Sequence, residues 1–481
     1  MKTTTTKQQQ NDVAITGNDW DQAYAYSLGI QAYIYGFPWV YLSWLKWLWS
    51  TEGGKKYAEA SGASVPWAPI NSFFKSTALA TPENTTGGSP NCDTLYATGW
   101  LDVSDEPMIL SVPEVDDRYY CIEMACIDSD NFAYVGSYAT GTKAANYLIG
   151  GPGWNGKIPD NVMDVLPRSR TPEILLMGRT GVNDSNSQED LDKALAIQEQ
   201  YIITPLSNWI SGEPYVPVAE AAPNIPINPT VETEGTWEAM NNAMNINPPG
   251  VLPGVDQSQL LSLFATIGIG PNQLLSEQSE ATIIGLDLAA KKGLSLLREM
   301  GGSGTTAALN YWSYPPRDIG QSGQNGDFIT RAALQALAGI TAHYPDEAVY
   351  IHTSLDSNGE NLDSTSSYSM YFKDETAFPS FDVSYNGFWS ITMYETSDFN
   401  LVTDSDSYTI NSYDPQYQSR DDNGGMTIYL QRDEPSGNGE NGVYWLQSPE
   451  SGDFYLILRV YVPGPTIWNT QTYVPPALIK Q

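Results

Sequence analysis

Histidine is nearly absent: His343 and His352 are the only two in 481 residues. Neither has a partner at metal-ligand spacing, which argues against a His-based zinc or iron centre. A Ser-His-Asp triad would have to use one of them, and no Gly-x-Ser-x-Gly elbow is present. His352 sits among β-type residues and reads as a satisfied side chain in a sheet. His343 follows a helical stretch, where a cation suits the helix dipole. Cysteine is scarce too. Cys92, Cys121 and Cys126 are the full set, with no CxxC. Cys121 and Cys126 are five apart and fall on opposite faces of one strand, so they are poor disulfide partners and read as small buried thiols. A phosphate-binding loop with Lys is missing. Positive charge is short: 23 Lys and Arg face 56 Asp and Glu, a formal net charge of -33. Such a chain repels nucleic acid and anionic membrane surfaces. An acidic, solvated surface is favoured over a specific cation site. No metal and no cofactor are implied.

Aromatic residues are abundant, with 30 Tyr and 14 Trp. They fill sheet surfaces and line pockets, each with an apolar body and a polar handle. Residues 30–49 form an apolar, aromatic run of roughly membrane-spanning length. It contains Gly36, Pro38, Ser43 and Lys46, which are costly in lipid. The run reads as a buried helix that bends or stops near Pro38, and no membrane span is expected. The polar residues 1–18 read as a disordered tail.

Alternation of apolar and polar residues predicts strands over 94–101, 108–112, 119–126, 132–138, 146–149 and 173–179, joined by Gly, Pro, Asp and Asn turns. A helix is predicted over 187–203, opened by an imperfect capping box at Ser187. The proline-rich stretch 213–230 reads as an extended linker. Helices are predicted over 236–244, 258–267, 281–300 and 331–340. Strands resume at 348, and 388–394, 426–431 and 454–461 carry the clearest alternation in the chain. These elements predict an α+β, β-rich fold with an N-terminal helical layer (19–66), a first β domain (67–212), a linker and helical connector (213–347) and a C-terminal β domain (348–481).

Several motifs recur in an order that is recognisable. They are Ala32-Tyr-Ile-Tyr-Gly-Phe-Pro38, Asn91-Cys-Asp-Thr-Leu-Tyr96, Trp100-Leu-Asp102, Asp117-Arg-Tyr-Tyr120, Gly150-Gly-Pro-Gly-Trp154, Gly178-Arg179, Ile267-Gly-Ile-Gly-Pro271, Arg331-Ala-Ala333, Asp356-Ser-Asn-Gly359 and Phe388-Trp389. Taken together the chain resembles the family of paired domains of unknown function 1254 and 1214. The resemblance implies two β-sandwich or jelly-roll-like domains, and it implies no activity. The chain departs from the family pattern at Cys92 and at Ala342-His-Tyr-Pro345.

Asn91, Asp93 and Tyr96 form the best polar cluster. Asn91 and Asp93 share a face of an extended segment, and Arg118 begins a later strand. A carboxylate, an amide and a guanidinium in an aromatic cleft could bind a polar group or transfer a proton. A structural ion pair of Asp93 with Arg118 is the competing reading. Asp356-Ser-Asn-Gly-Glu360 has oxygens that resemble part of a calcium loop, but a plain turn explains them as well, and so do Asp128-Ser-Asp130 and Asp404-Ser-Asp406. Trp389, Tyr394, Trp445, Tyr455 and Tyr461 are core residues or an aromatic platform. Asn84 and Asn183 are glycosylation acceptors if the chain is secreted in a host that glycosylates.

Two functions are therefore carried forward. In one, the protein is a cofactor-independent enzyme acting on a small, largely apolar molecule, with Asp93 as acid or base, Asn91 and Arg118 holding a polar group, and Tyr96 and Trp389 as walls. In the other, it is a non-catalytic glycan or ligand binder, or a surface component that assembles with copies of itself.

Overall fold

A computed structural model describes residues 20–83, 88–252, 255–303 and 310–481. The expected N-terminal tail and the Asn84 acceptor lie outside the described residues. The fold is α+β and rich in antiparallel sheet.

The first sandwich pairs a five-stranded sheet with a three-stranded one. The strands are β1 (Ser72–Lys75), β2 (Thr94–Asp102), β3 (Met108–Val112), β4 (Tyr120–Cys126), β5 (Asn131–Gly136), β6 (Ala145–Ile149), β7 (Glu173–Gly181) and β8 (Ile202–Pro205). The orders are β1-β2-β7-β4-β5 and β6-β3-β8. Ala97, Leu101, Ile122, Met124 and Leu176 from the larger sheet pack on Met108, Leu110, Tyr147 and Ile149 from the smaller. The helix expected over 187–203 is shorter, Gln188–Gln198. Ser187 caps it as expected, accepting from Asp190 N. The β-branched Ile202 and Ile203 join β3 instead, and Pro205, lacking an N–H, could not have continued a helix.

The second sandwich has two four-stranded sheets. Its strands are β9 (Ala348–Thr353), β10 (Tyr368–Phe372), β11 (Phe388–Glu395), β12 (Thr409–Asn411), β13 (Met426–Gln431), β14 (Val443–Gln447), β15 (Phe454–Tyr461) and β16 (Ile479–Lys480). The orders are β14-β13-β10-β16 and β12-β11-β15-β9. Val349, Ile391, Met393, Leu456, Leu458 and Val460 meet Met370, Phe372, Ile428, Leu430 and Leu446 in its core.

Helices form the third part. The first, α1 (Trp20–Ser50), runs through Pro38 without stopping, contrary to the expected break. An interior proline costs about 3 kcal/mol. Burial of Tyr33, Tyr35, Phe37, Trp39 and Leu42, each worth roughly 1.5–3 kcal/mol, exceeds that. No helix among the described residues is long and apolar enough to cross a membrane. Next comes α2 (Glu52–Ser61), capped by Thr51 and closed by Gly62 at φ 72°. After α3 (Gln188–Gln198) and α4 (Leu206–Ser211) come α5 (Thr236–Ile246), α6 (Gln257–Ala265) and α7 (Glu280–Ser303). Glycines let α1 and α7 touch. A Cβ on Gly285 would lie 2.4 Å from Gln22 O, and one on Gly29 would lie 2.7 Å from Ala289 Cβ. The segment Arg331–Ala338, expected as an α-helix, is a π-helix, a form that recurs at functional sites.

One face of the five-stranded sheet is shared. Trp100, Ala125 and Leu175 at one end lie under the helices. The other end of the same face, with Tyr96, Cys121, Glu123 and Arg179, meets the β12-β11-β15-β9 sheet of the second sandwich. Helices and both sandwiches therefore converge along one line.

Candidate functional site at the junction of the sandwiches

Strand alternation decides what faces this junction. On β11 and β15 the residues Trp389, Ile391, Leu458 and Val460 turn into the second core, so Phe388, Ser390, Arg459 and Tyr461 turn the other way. Ser390 is opposite Arg459, which is opposite Tyr350 on β9. On the first sandwich Tyr96 pairs with Arg179, and Arg179 with Cys121. Two sheet faces carrying charges and tyrosines thus press together.

Asp93 is at this junction and fully buried. Its carboxylate accepts from Ser390 Oγ at 2.6 Å and from Asn411 Nδ2 at 3.4 Å. Tyr413 OH donates to its backbone oxygen at 3.0 Å. Burial pushes the Asp93 carboxyl above its usual value, against the opposing pull of Ser390, Arg459 and Asn411. Asn91 serves the turn before it: its Oδ1 accepts from Asp93 N, Thr94 N and Thr94 Oγ1, and its Nδ2 donates to Tyr96 OH at 2.6 Å. Asn91, Asp93 and Tyr96 are thus brought together. Arg118 is nearby but occupied, with Nη2 on Asp117 at 2.9 Å and on Asp190 at 3.0 Å. It makes no ion pair with Asp93. Trp389 is stacked on Phe372 and Phe378 in the second core. It lies across β11 from the face that Ser390 presents to Asp93.

Beside Asp93 lie Glu123, Arg179, Glu347 and Arg459, which the sequence pattern did not mark as site residues. Glu123 is fully buried and accepts from Arg179 Nη1 at 3.0 Å, Asn131 Nδ2 at 2.9 Å and Thr341 Oγ1 at 3.0 Å. Burial works against its ionisation, but His343, Arg179 and Asn131 outweigh it and hold the carboxyl below its usual range. His343 is itself pushed down to about 3, chiefly by burial. At neutral pH it is therefore uncharged, and Arg179 is the cation that keeps Glu123 ionised. The expected role for His343, a cation at a helix end, is thus corrected: its ring is buried, 3.6 Å from Glu123 Oε2. Glu347 accepts from Tyr119 OH at 2.6 Å, and burial pushes it up to about 7. Arg459 donates to Ser89 O at 2.6 Å and stacks over Tyr350 and Tyr394. Its Nη1 has no partner, and neither do Tyr461 OH, Arg179 Nε or either ring nitrogen of His343.

A cleft of about 350 Å³ opens at the same junction, lined by Arg118, Tyr119, Asn183, Phe388, Ser412 and Tyr413 among others. Its floor rings, Tyr119 and Phe388, pack on Tyr461 with centroids 5.0 and 4.4 Å away. The cleft is therefore one ring layer from Tyr461. This size is at the small end of ligand pockets.

The Asp-rich turns are elsewhere. Asp356 Oδ1 accepts from Asn358 N and Glu360 N, an ordinary turn. Asp128 pairs with Arg170 at 3.2 Å, and the guanidinium of Arg331 lies near it at 4.0 Å. Among the described residues no group of three or more His, Cys, Asp or Glu is placed to hold a metal ion.

The sequence signal for the missed residues was present but ambiguous. Arg459 sits between Ile457 and Tyr461 on the face away from the second core, which in an isolated sandwich would meet water. Only the covering sheet makes it interior.

Residues 70–205 match the family described as protein of unknown function DUF1254, and residues 347–465 match the one described as protein of unknown function DUF1214. No curated protein matches the chain. Among solved structures, the VPA0106 protein from Vibrio parahaemolyticus is similar in fold, at a TM-score of 0.68 and 24% identity, covering 95% of this chain and 100% of that one. An uncharacterized protein from Burkholderia cenocepacia aligns over 96% of this chain and 95% of its own, at 10% identity and a TM-score of 0.41.

Proposed function

The chain belongs to the family that joins a domain of unknown function 1254 to a domain of unknown function 1214, and from the geometry of its interior we propose that it is a cofactor-independent enzyme acting on a small, largely apolar molecule at the junction of its two β units. The units 67–212 and 348–481 supply the two walls. The observation that carries the proposal is Asp93. It is a buried carboxyl raised above its usual value, held by Ser390 and Asn411 from the opposite unit. Tyr413, which bonds its backbone, also lines the cleft. A carboxyl tuned upward by burial and steadied by side chains from two units suits general acid or base work. Ser390 positions it. Asn91 fixes the turn that presents it, Tyr96 forms wall, and Arg118 edges the entrance.

The test is depletion of compounds from a mixture of small apolar metabolites, followed by mass spectrometry. Wild type should consume at least one compound, and Asp93→Asn should slow that by about 100-fold or more. Ser390→Ala, which removes a bond that favours the ionised form, should move the acid limb of the pH profile upward. Consumption at equal rates by wild type and Asp93→Asn would overturn the assignment. Saturable binding without turnover would favour the non-catalytic binder.

A further inference from the structure

We propose that the junction holds a small monocarboxylate with an apolar body, its carboxylate on the free Nη1 of Arg459 and on Tyr461 OH. This rests on the reading that the junction admits a ligand, and not on acid–base work by Asp93.

One of the two guanidiniums at the junction has no bonded carboxylate. Glu123 is matched by Arg179 at 3.0 Å. Arg459 is buried, yet makes no ion pair with any carboxylate among the described residues; its bonded partner is the neutral Ser89 carbonyl. Residues 84–87, next to Ser89, contain no acid. Burial raises both Asp93 and Glu347 above the usual carboxylate range, while Ser390 and Arg459 pull Asp93 the other way. Arg459 is therefore a buried guanidinium with no bonded carboxylate among the described residues and with its Nη1 unpartnered. A buried, unpaired charge is strongly unfavourable, and structures relieve it with a counter-ion.

The unpartnered atoms agree with the charge. Arg459 Nη1, Arg179 Nε and Tyr461 OH are buried donors with nothing to donate to, and buried polar groups normally have partners. Each guanidinium is a planar fork that matches a carboxylate. The surroundings select the rest of the guest. Tyr350 and Tyr394 flank Arg459, and Cys92, Leu401, Tyr455 and Ile457 pack with Tyr394. These walls suit an aromatic or aliphatic body. Tyr119 and Phe388, between the cleft and Tyr461, mark the way in.

Isothermal titration of the full chain with benzoate, and with benzamide as its uncharged counterpart, tests this. Benzoate should bind saturably and at least ten-fold more tightly than benzamide, with inorganic phosphate weaker than benzoate. Arg459→Met should weaken benzoate at least ten-fold, and Arg459→Lys less. Without ligand, Arg459→Met should melt no lower than wild type, because it removes an unpaired charge, whereas a purely structural arginine would lower the melting temperature. Equal affinity for benzoate and benzamide, no saturable binding of either, or unchanged benzoate binding by Arg459→Met would each overturn the proposal. The two readings fail separately. Asp93-dependent turnover of an uncharged compound, with no benzoate binding, sinks the carboxylate site alone. Benzoate binding with turnover indifferent to Asp93 sinks the catalytic role alone.

Discussion

Replacing Glu123 by Leu removes the one carboxylate that neutralises Arg179 inside the junction. The guanidinium has little access to water, because Arg179 is buried between sheets. Orphaning a buried charge costs about 3–5 kcal/mol. Asn131 Nδ2 and Thr341 Oγ1 each lose an acceptor as well, at roughly 1 kcal/mol apiece. Asn131 keeps bonds to Tyr134 OH and Ala342 O, and Arg179 stays over the Tyr96 ring at 5.7 Å, which softens the loss. The expected destabilisation is about 5 kcal/mol, a large share of the 5–15 kcal/mol typical of a whole protein. Adding Arg179→Met removes the orphaned charge, so the double variant should recover about 3 kcal/mol of that loss. Urea unfolding followed by circular dichroism and by tryptophan fluorescence reads both values. Glu123→Gln serves if the leucine variant does not fold. A single-variant cost under 1 kcal/mol, or a double variant no better than the single, would refute the assignment of Glu123 as the charge that holds the junction.

Glu347 predicts a pH dependence. Its carboxyl is raised from 4.5 to about 7 by burial, so between these values the folded state keeps a proton that the unfolded chain has lost. Its contribution is full below pH 4.5 and is lost as pH rises through about 7, roughly 3 kcal/mol in all. Glu347→Gln should abolish that decline and be more stable than wild type at pH 8; parallel pH–stability curves would contradict this. The α1–α7 contact makes a separate prediction. Gly285→Ala places a Cβ 2.4 Å from a backbone oxygen of Gln22, which cannot rotate away, and should cost about 1–3 kcal/mol in urea unfolding. A cost near zero would mean the two helices are less closely packed.

Much of the fold could be read from periodicity because each sandwich buries one face of each strand. Met108–Val112, Met426–Gln431 and Phe454–Tyr461 are strands over the predicted residues. Elements stabilised by distant partners were harder to read. β16 is two residues long and exists because it pairs with β10. Helix α1 survives Pro38 because its neighbours bury it. The π-helix at 331–338 has the same apolar spacing as an α-helix. The candidate site was half legible for the same reason. Asn91, Asp93 and Tyr96 are local in sequence, and their turn is visible in it. The contact of Asp93 with Ser390 spans 297 positions, and the unpaired state of Arg459 depends on two sheets meeting face to face. Trp389 looked like a wall, but alternation on β11 gives the junction to Ser390 and the core to Trp389.

The central claim is that a ligand lodges between the two sheet faces. A crystal of the full chain grown with 4-bromobenzoate tests it most directly, because bromine scatters anomalously and the carboxylate end can be traced from it. The account predicts a carboxylate on Arg459 Nη1 and Tyr461 OH, with the bromine among the surrounding aromatic rings. A junction closed around Arg459, with the bromine signal only on the outer surface, would contradict it.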